Sequence, residues 1–211
     1  MRLCRYRECT LFEQQAPRTA RLWRRTHRKR SGLLSLQEEW CEDKMDISRF
    51  LKPELIKLEM ETEVKCDPDS QLHPEKLLWI RKEAILSELV DLLERSGKVG
   101  NKRKFLIDFL NREKKASTGI GHGIAIPHIR SMQAKEFVMG LARSREGYDF
   151  DSMDNGLVHL FFVMAAPPYD DTLYLKVFKA LAETLRFDYF REELLNASSE
   201  YEIIRAIKRM E

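Results

Sequence analysis

The stretch from Leu157 to Leu185, LVHLFFVMAAPPYDDTLYLKVFKALAETL, decides the fold class. Its first part, Leu157 to Ala166, is a short run of mostly apolar, β-forming side chains closed by the turn signal Pro167-Pro168, which predicts a strand. Its second part sets Leu175, Phe178, Leu181, Ala182 and Leu185 at helical spacing, which predicts a core-facing helix from Leu173 to Phe187. A strand followed at once by an amphipathic helix is the repeating unit of an α/β protein.

Working outward, the same alternation continues. Phe137 to Ala142 reads as another strand. Upstream, Lys76 to Ser96 repeats apolar positions at helical spacing and closes on Gly97, and Asn101 to Lys115 does so with Phe105, Leu106, Phe109 and Leu110. Downstream, Tyr189 to Leu195 and Glu200 to Arg209 return to helical periodicity. The folded pattern opens at Met45: Asp46 or Ser48 caps a short helix through Leu51, Pro53 begins another turn, and Leu55 to Met60 alternates as a strand. The polar piece Cys66 to Lys76, CDPDSQLHPEK, reads as a loop longer than an ordinary connection, a candidate insertion. The expectation is an α/β sandwich with helices packed over a sheet.

The 211 residues suffice for one such domain, assigned to residues 45–211, with 43% hydrophobic and 34% charged side chains. The net charge of +3 hides an asymmetry, because residues 1–44 carry three arginine-rich clusters. That basic N-terminal extension has the composition of a disordered segment. It also admits two other readings: an arm that binds nucleic acid through phosphates, or a stretch that is not translated natively, with translation beginning at Met45. The clean start of the folded pattern at MDISRFL favours the last, and nucleic acid is not expected as a partner. No run approaches the roughly 18 to 20 apolar residues of a membrane span, and the basic N-terminus lacks the apolar stretch of a secretory signal, so a cytoplasmic location is expected. Cys4, Cys9, Cys41 and Cys66 form no CxxC pair, so neither a metal site nor a disulfide framework is indicated.

The chemistry concentrates in Ser117–His128, STGIGHGIAIPH. Gly119, Gly121 and Gly123 permit close backbone approach, and their amides are suited to an anion-binding concavity. Pro127 fixes the backbone before His128 and is expected to present the imidazole at the end of a short strand. Neutral imidazole is a nucleophile near physiological pH, which suits a reversible phosphoryl acceptor. Arg112 is placed to neutralise phosphoryl charge, and Ser117 and Thr118 to donate hydroxyl hydrogen bonds. His122 lies within the glycine loop; His159 reads as a half-buried sheet residue.

LNREKKASTGIGHGIAIPH, with HLFFVMAAPP and LYLKVFKALAETL behind it, resembles the fructose, mannitol and nitrogen-regulatory type of enzyme IIA domain of the bacterial phosphoenolpyruvate-dependent sugar phosphotransferase system. The likeness runs from Met45 to about Met210, with MDISRFLKPELIKLEME similar to the family's opening and ILSELVDLL to its first long helix. The resemblance implies a mixed β-sheet flanked by helices, and a phosphotransferase component without metal or organic cofactor. It implies that His128 accepts a phosphoryl group from a phosphohistidine carrier protein (HPr-like) and passes it to a cysteine of an enzyme IIB, or that its phosphorylation controls binding to a regulated target protein. Arg112 maps to the family's phosphate-stabilising arginine, and the phosphate-binding set is expected to include Ser117, Thr118, Gly121, His122, Gly123 and Tyr174.

Three departures stand out. Tyr174 occupies the position where the family often has a second histidine, and it can donate a hydrogen bond without carrying a positive charge. Ile129 follows the active histidine where a small residue is usual, and is expected to crowd the docking surface. The insertion-like CDPDSQLHPEK is the third.

Overall fold

The computed structural model describes residues 45–62 and 73–211. The readings of the basic extension and of most of the Cys66–Lys76 loop therefore lie outside the described residues.

Two single 3₁₀ turns open the domain, Ser48–Phe50 and Pro53–Leu55, the second with Pro53 in its first turn. The cap position of the first is Ile47, which offers no side-chain cap; Asp46, one residue before it, accepts from Ser48 Oγ (2.7 Å) and Arg49 N (3.2 Å). The expected strand from Leu55 to Met60 pairs only at Ile56–Lys57 (β1), because Leu55 is taken up by the preceding turn. Helix α1, Pro74–Glu94, starts on its proline and stops at Gly97, whose left-handed φ of 70° carries the chain away. Helix α2, Lys102–Lys115, is capped by Asn101 Oδ1, which accepts from Lys104 N at 2.9 Å. Its buried residues are Phe105, Phe109 and Glu113, one stripe at four-residue spacing that sets a carboxylate on the core side of the helix.

The strands that follow are β2 (Gly119–Gly121), β3 (Ile124–Ala125), β4 (His128–Arg130), β5 (Val138–Tyr148) and β6 (Val158–Ala166). They form one mixed six-stranded sheet in the order β1-β5-β6-β3-β2, with β4 also paired to β6. β5 and β6 are antiparallel, from Val138 opposite Ala165 to Arg143 opposite Leu160, while β3 and β4 both run parallel to β6. β5 outruns its expected end at Ala142 because its polar continuation, Arg143 and Ser144, is buried as well. Arg143 donates to the carbonyls of Leu58 (2.8 Å), Leu194 (3.2 Å), Leu195 (2.8 Å) and Ala197 (2.7 Å), and so ties a helix end to the sheet.

Three helices complete the chain: α3 (Asp171–Thr184), α4 (Asp188–Asn196) and α5 (Glu200–Met210). Strand periodicity sends Leu160, Phe162, Met164 and Ala166 into one hydrophobic cluster with Tyr174, Val177 and Leu181 of α3 and the inward faces of α4 and α5. It sends Phe161, Val163 and Ala165 into a second cluster with α1 and α2. β6 is therefore buried on both faces, which is why its sequence is almost continuously apolar. Helices cover both sides of the mixed sheet.

Candidate active site

Ile124 to Arg130 lies along β6 as a single extended path broken at Pro127, which has no N–H to donate to a ladder. Its carbonyl still accepts from Met164 N at 2.9 Å. His128 thus opens β4, where a strand end was expected. Alternation then points Ile129 into the core at 4% exposure and leaves His128 half-buried on the other face. Ile129 packs in the second cluster, and the little of it that is exposed belongs to the wall of the cleft beside His128.

His128 Nδ1 lies 2.6 Å from the carbonyl oxygen of Ile126. A carbonyl only accepts, so Nδ1 carries the ring proton and Nε2 keeps its lone pair. Nε2 faces Arg112 Nη2 at 3.1 Å, and Arg112 Nη1 donates to Ala116 O at 2.9 Å. Burial lowers the imidazole pKa; the Arg112 cation adds to this, opposed by the Ile126 carbonyl and the charge of Glu113. A neutral imidazole with an available Nε2 is the form this surrounding favours. The Phe178 ring meets it edge-on at 5.1 Å and Tyr174 lies at 6.2 Å, tilted. Burial also raises the Tyr174 hydroxyl pKa against the pull of Arg112 and Arg130.

His128, Arg112 and Tyr174 border an open cleft of about 540 Å³, also lined by Asp108, Asn111, Lys115, Ile129, Arg130 and Leu175. Three cations, Arg112, Lys115 and Arg130, stand against the single carboxylate Asp108, so the cleft suits an anion. Asp108, Asn111, Arg112 and Lys115 share one face of α2 at three- and four-residue spacing, the signal by which the unforeseen members were legible.

Arg112 and Tyr174 are thus brought to His128, whereas Ser117, Thr118, Gly121, His122 and Gly123 do not line the cleft. Ser117 Oγ donates to Phe150 O at 3.2 Å and accepts from Gly119 N at 3.3 Å. Thr118 is buried, its hydroxyl donating to Glu113 Oε2 at 2.6 Å. The glycine loop is a hairpin turn between β2 and β3, in which His122 (φ 55°) and Gly123 (φ 74°) take the left-handed conformations that a two-residue turn of this hand requires. Its amides are already spent: Gly121 N donates to Ser152 Oγ at 3.0 Å and His122 N to Asp154 Oδ2 at 2.8 Å. A Cβ on Gly119 would stand 2.9 Å from Ser152 Cα, so that glycine serves close packing. The expected anion concavity is a packed turn instead. His159 is half-buried in β6, with Nδ1 at 3.1 Å from Ser144 O.

Among the described residues no helix is long and apolar enough to cross a membrane, and no cluster of three or more metal-ligating side chains occurs. The model of the family "Phosphoenolpyruvate-dependent sugar phosphotransferase system, EIIA 2" matches residues 77–210. The fructose-specific EIIABC component of Bacillus subtilis is 35% identical over 128 residues, which are 61% of this chain but only 20% of that protein. The fructose-specific EIIA component of Haloferax volcanii is 36% identical over 118 residues, 56% of this chain and 77% of that one. The crystal structure of nitrogen regulatory protein IIA-Ntr from Neisseria meningitidis superposes with a TM-score of 0.64 at 28% identity, covering 77% of this chain and 99% of the other. With the family model matched across both helical layers and the whole sheet from β2 to β6, the chain belongs to the EIIA 2 family of the phosphoenolpyruvate-dependent sugar phosphotransferase system.

Proposed function

We propose that His128 is the phosphoryl carrier of this chain, acting in the cytoplasm and loaded by an HPr-like phosphohistidine protein. The observation that carries this reading is the orientation of the ring: Nδ1–H is held by Ile126 O at 2.6 Å and Nε2 faces an anion-attracting cleft. The Nε2 lone pair attacks the phosphorus of the donor's phosphohistidine, the N–P bond of the donor breaks, and its nitrogen leaves with the bonding pair. Arg112 exchanges its contact with Nε2 for one with the incoming phosphoryl oxygens, and the Tyr174 hydroxyl donates a further hydrogen bond to them. In the second half, a cysteine thiolate of an enzyme IIB attacks the same phosphorus and Nε2 departs with its pair, regenerating the neutral ring.

Incubation with a phosphorylated carrier is expected to add the mass of one phosphoryl group to the wild-type chain and none to His128→Ala. A wild type that stays unmodified with a competent donor would overturn the assignment.

A second reading rests on Tyr174, which replaces a titratable partner beside the imidazole, and on likeness to a nitrogen regulatory protein over 99% of its length. In it the phosphorylated state of His128 selects a regulated target protein. Pull-downs with His128→Asp and His128→Ala separate the readings, since identical partner sets would count against a phosphate-controlled switch.

A further inference from the structure

Lys82 and Glu113 are 1% and 3% exposed, and Lys82 Nζ meets Glu113 Oε1 at 3.0 Å. Lys82 also contacts Asp151 Oδ2 at 3.1 Å and lies over the rings of Trp79 and Phe150. Such a pair is a poor way to gain stability. Desolvation of two charges commonly cancels their attraction, and well-packed apolar side chains of similar volume do as well or better. Glu113 sits where Phe105 and Phe109 predict another apolar residue. A carboxylate at that place calls for another explanation.

The hydrogen bonds that leave Glu113 supply one. Its two oxygens accept from Thr118 N, both at 3.2 Å, and Oε2 accepts from Thr118 Oγ1 at 2.6 Å. Thr118 O accepts from Ile126 N at 2.9 Å, and Ile126 O accepts from His128 Nδ1 at 2.6 Å. One continuous path therefore runs from the buried ammonium to the ring proton of His128. The same carboxylate anchors the segment after α2, whose Ala116 carbonyl holds Arg112 Nη1. Lys82 and Glu113 are 31 residues apart in sequence, yet both halves of the Arg112–His128 contact hang from them.

We propose that the Lys82–Glu113 pair, through Thr118, is a positioning device that fixes the Nδ1–H tautomer and ring orientation of His128 and the approach of Arg112. Neither residue touches the reacting atoms. The inference deepens the phosphoryl-carrier reading and rests on it for its functional meaning, while the tautomer is observable without any phosphoryl donor.

The test uses the full chain with Thr118→Val, Thr118→Ser, and the double variant Lys82→Met/Glu113→Leu. Long-range ¹⁵N NMR of the His128 ring reads the tautomer, single-turnover phosphorylation by the carrier reads the rate, and thermal unfolding reads stability. Wild type and Thr118→Ser are expected to show one tautomer with Nδ1 protonated. Thr118→Val and the double variant are expected to show a mixture, with transfer slowed by about tenfold, as loss of an orienting partner does elsewhere, and with the KM for the carrier unchanged. The double variant is expected to keep or raise the melting temperature, so that slowed transfer in it is not the result of a weakened fold; the tautomer is the readout that a purely structural pair would leave unmoved. Should it fail to fold, Thr118→Val decides. A folded Thr118→Val with the wild-type tautomer and rate would overturn the inference. A shifted tautomer in a chain whose wild type never takes phosphate would sink the carrier reading and support the positioning role alone.

Discussion

Tyr174 stands beside His128 with ring centroids 6.2 Å apart and planes at 52°, so the neighbour of the imidazole is a phenol of raised pKa. Near neutral pH its hydroxyl is protonated, able to donate a hydrogen bond but without charge. Tyr174→Phe is expected to slow phosphorylation of His128 by roughly tenfold, the worth of one hydrogen bond to a charged group. Tyr174→His is expected to restore the rate and to add a second acid-side pH dependence to that of His128 itself. Single-turnover rates across about pH 5 to 8, the range in which histidine titrates, check both outcomes.

Burial and the Arg112 cation both lower the pKa of His128. Arg112→Met removes the second cause, so the midpoint of His128 is expected to rise. The linkage has a definite sign. A histidine with depressed folded pKa binds fewer protons folded than unfolded, so its contribution is intact above the unfolded value of about 6.5 and is lost as pH falls toward the folded one. Stability in urea should therefore fall with acid in that window for wild type, and less steeply for Arg112→Met. NMR titration of the ring checks the midpoint directly.

Arg143 holds four carbonyls with one buried guanidinium. Arg143→Met leaves those acceptors without their donor, at an expected cost of about 3 kcal/mol in urea unfolding. The tautomer of His128 should not change, since Arg143 is not among the residues of the cleft.

Leu175 lines the cleft and is 60% exposed, and Met132, close by Arg130, is 80% exposed. Apolar side chains left bare beside a charged site suit transient docking. Leu175→Asp is expected to raise the KM for the phosphoryl donor by on the order of tenfold, the scale of a modest interface contact, with kcat and melting temperature near wild type. Titration of the donor in initial-rate assays separates the two constants.

The elements that repeat locally were legible in the sequence. Asn101 and Gly97 mark helix boundaries by chemistry within a few residues, and the apolar run of β6 announces a strand buried on both faces. Arg112 and His128 were legible for the same reason, since each belongs to a short motif. The glycine loop misled because a permissive backbone serves a hairpin as well as an anion, and the side chains that occupy its amides, Ser152 and Asp154, come from about thirty residues downstream. The continuation of β5 was hidden by Arg143 and Ser144, since the carbonyls that satisfy the buried Arg143 come from Leu58 and from Leu194 to Ala197, far away in sequence. Lys82 carries no local mark of its role, because nothing near it in sequence reveals Glu113.

The pairing of His128 with Met164 and of Ile129 with Ala165 sets which of two adjacent side chains meets solvent and which meets the core. That choice depends on parity, since each added residue turns the chain over. Between Gly123 and His128, substitutions therefore disturb this arrangement far less than a change of length does. One residue inserted there would bury the reactive ring and offer isoleucine to the partner, leaving a domain that folds to the same outline with its chemistry facing inward.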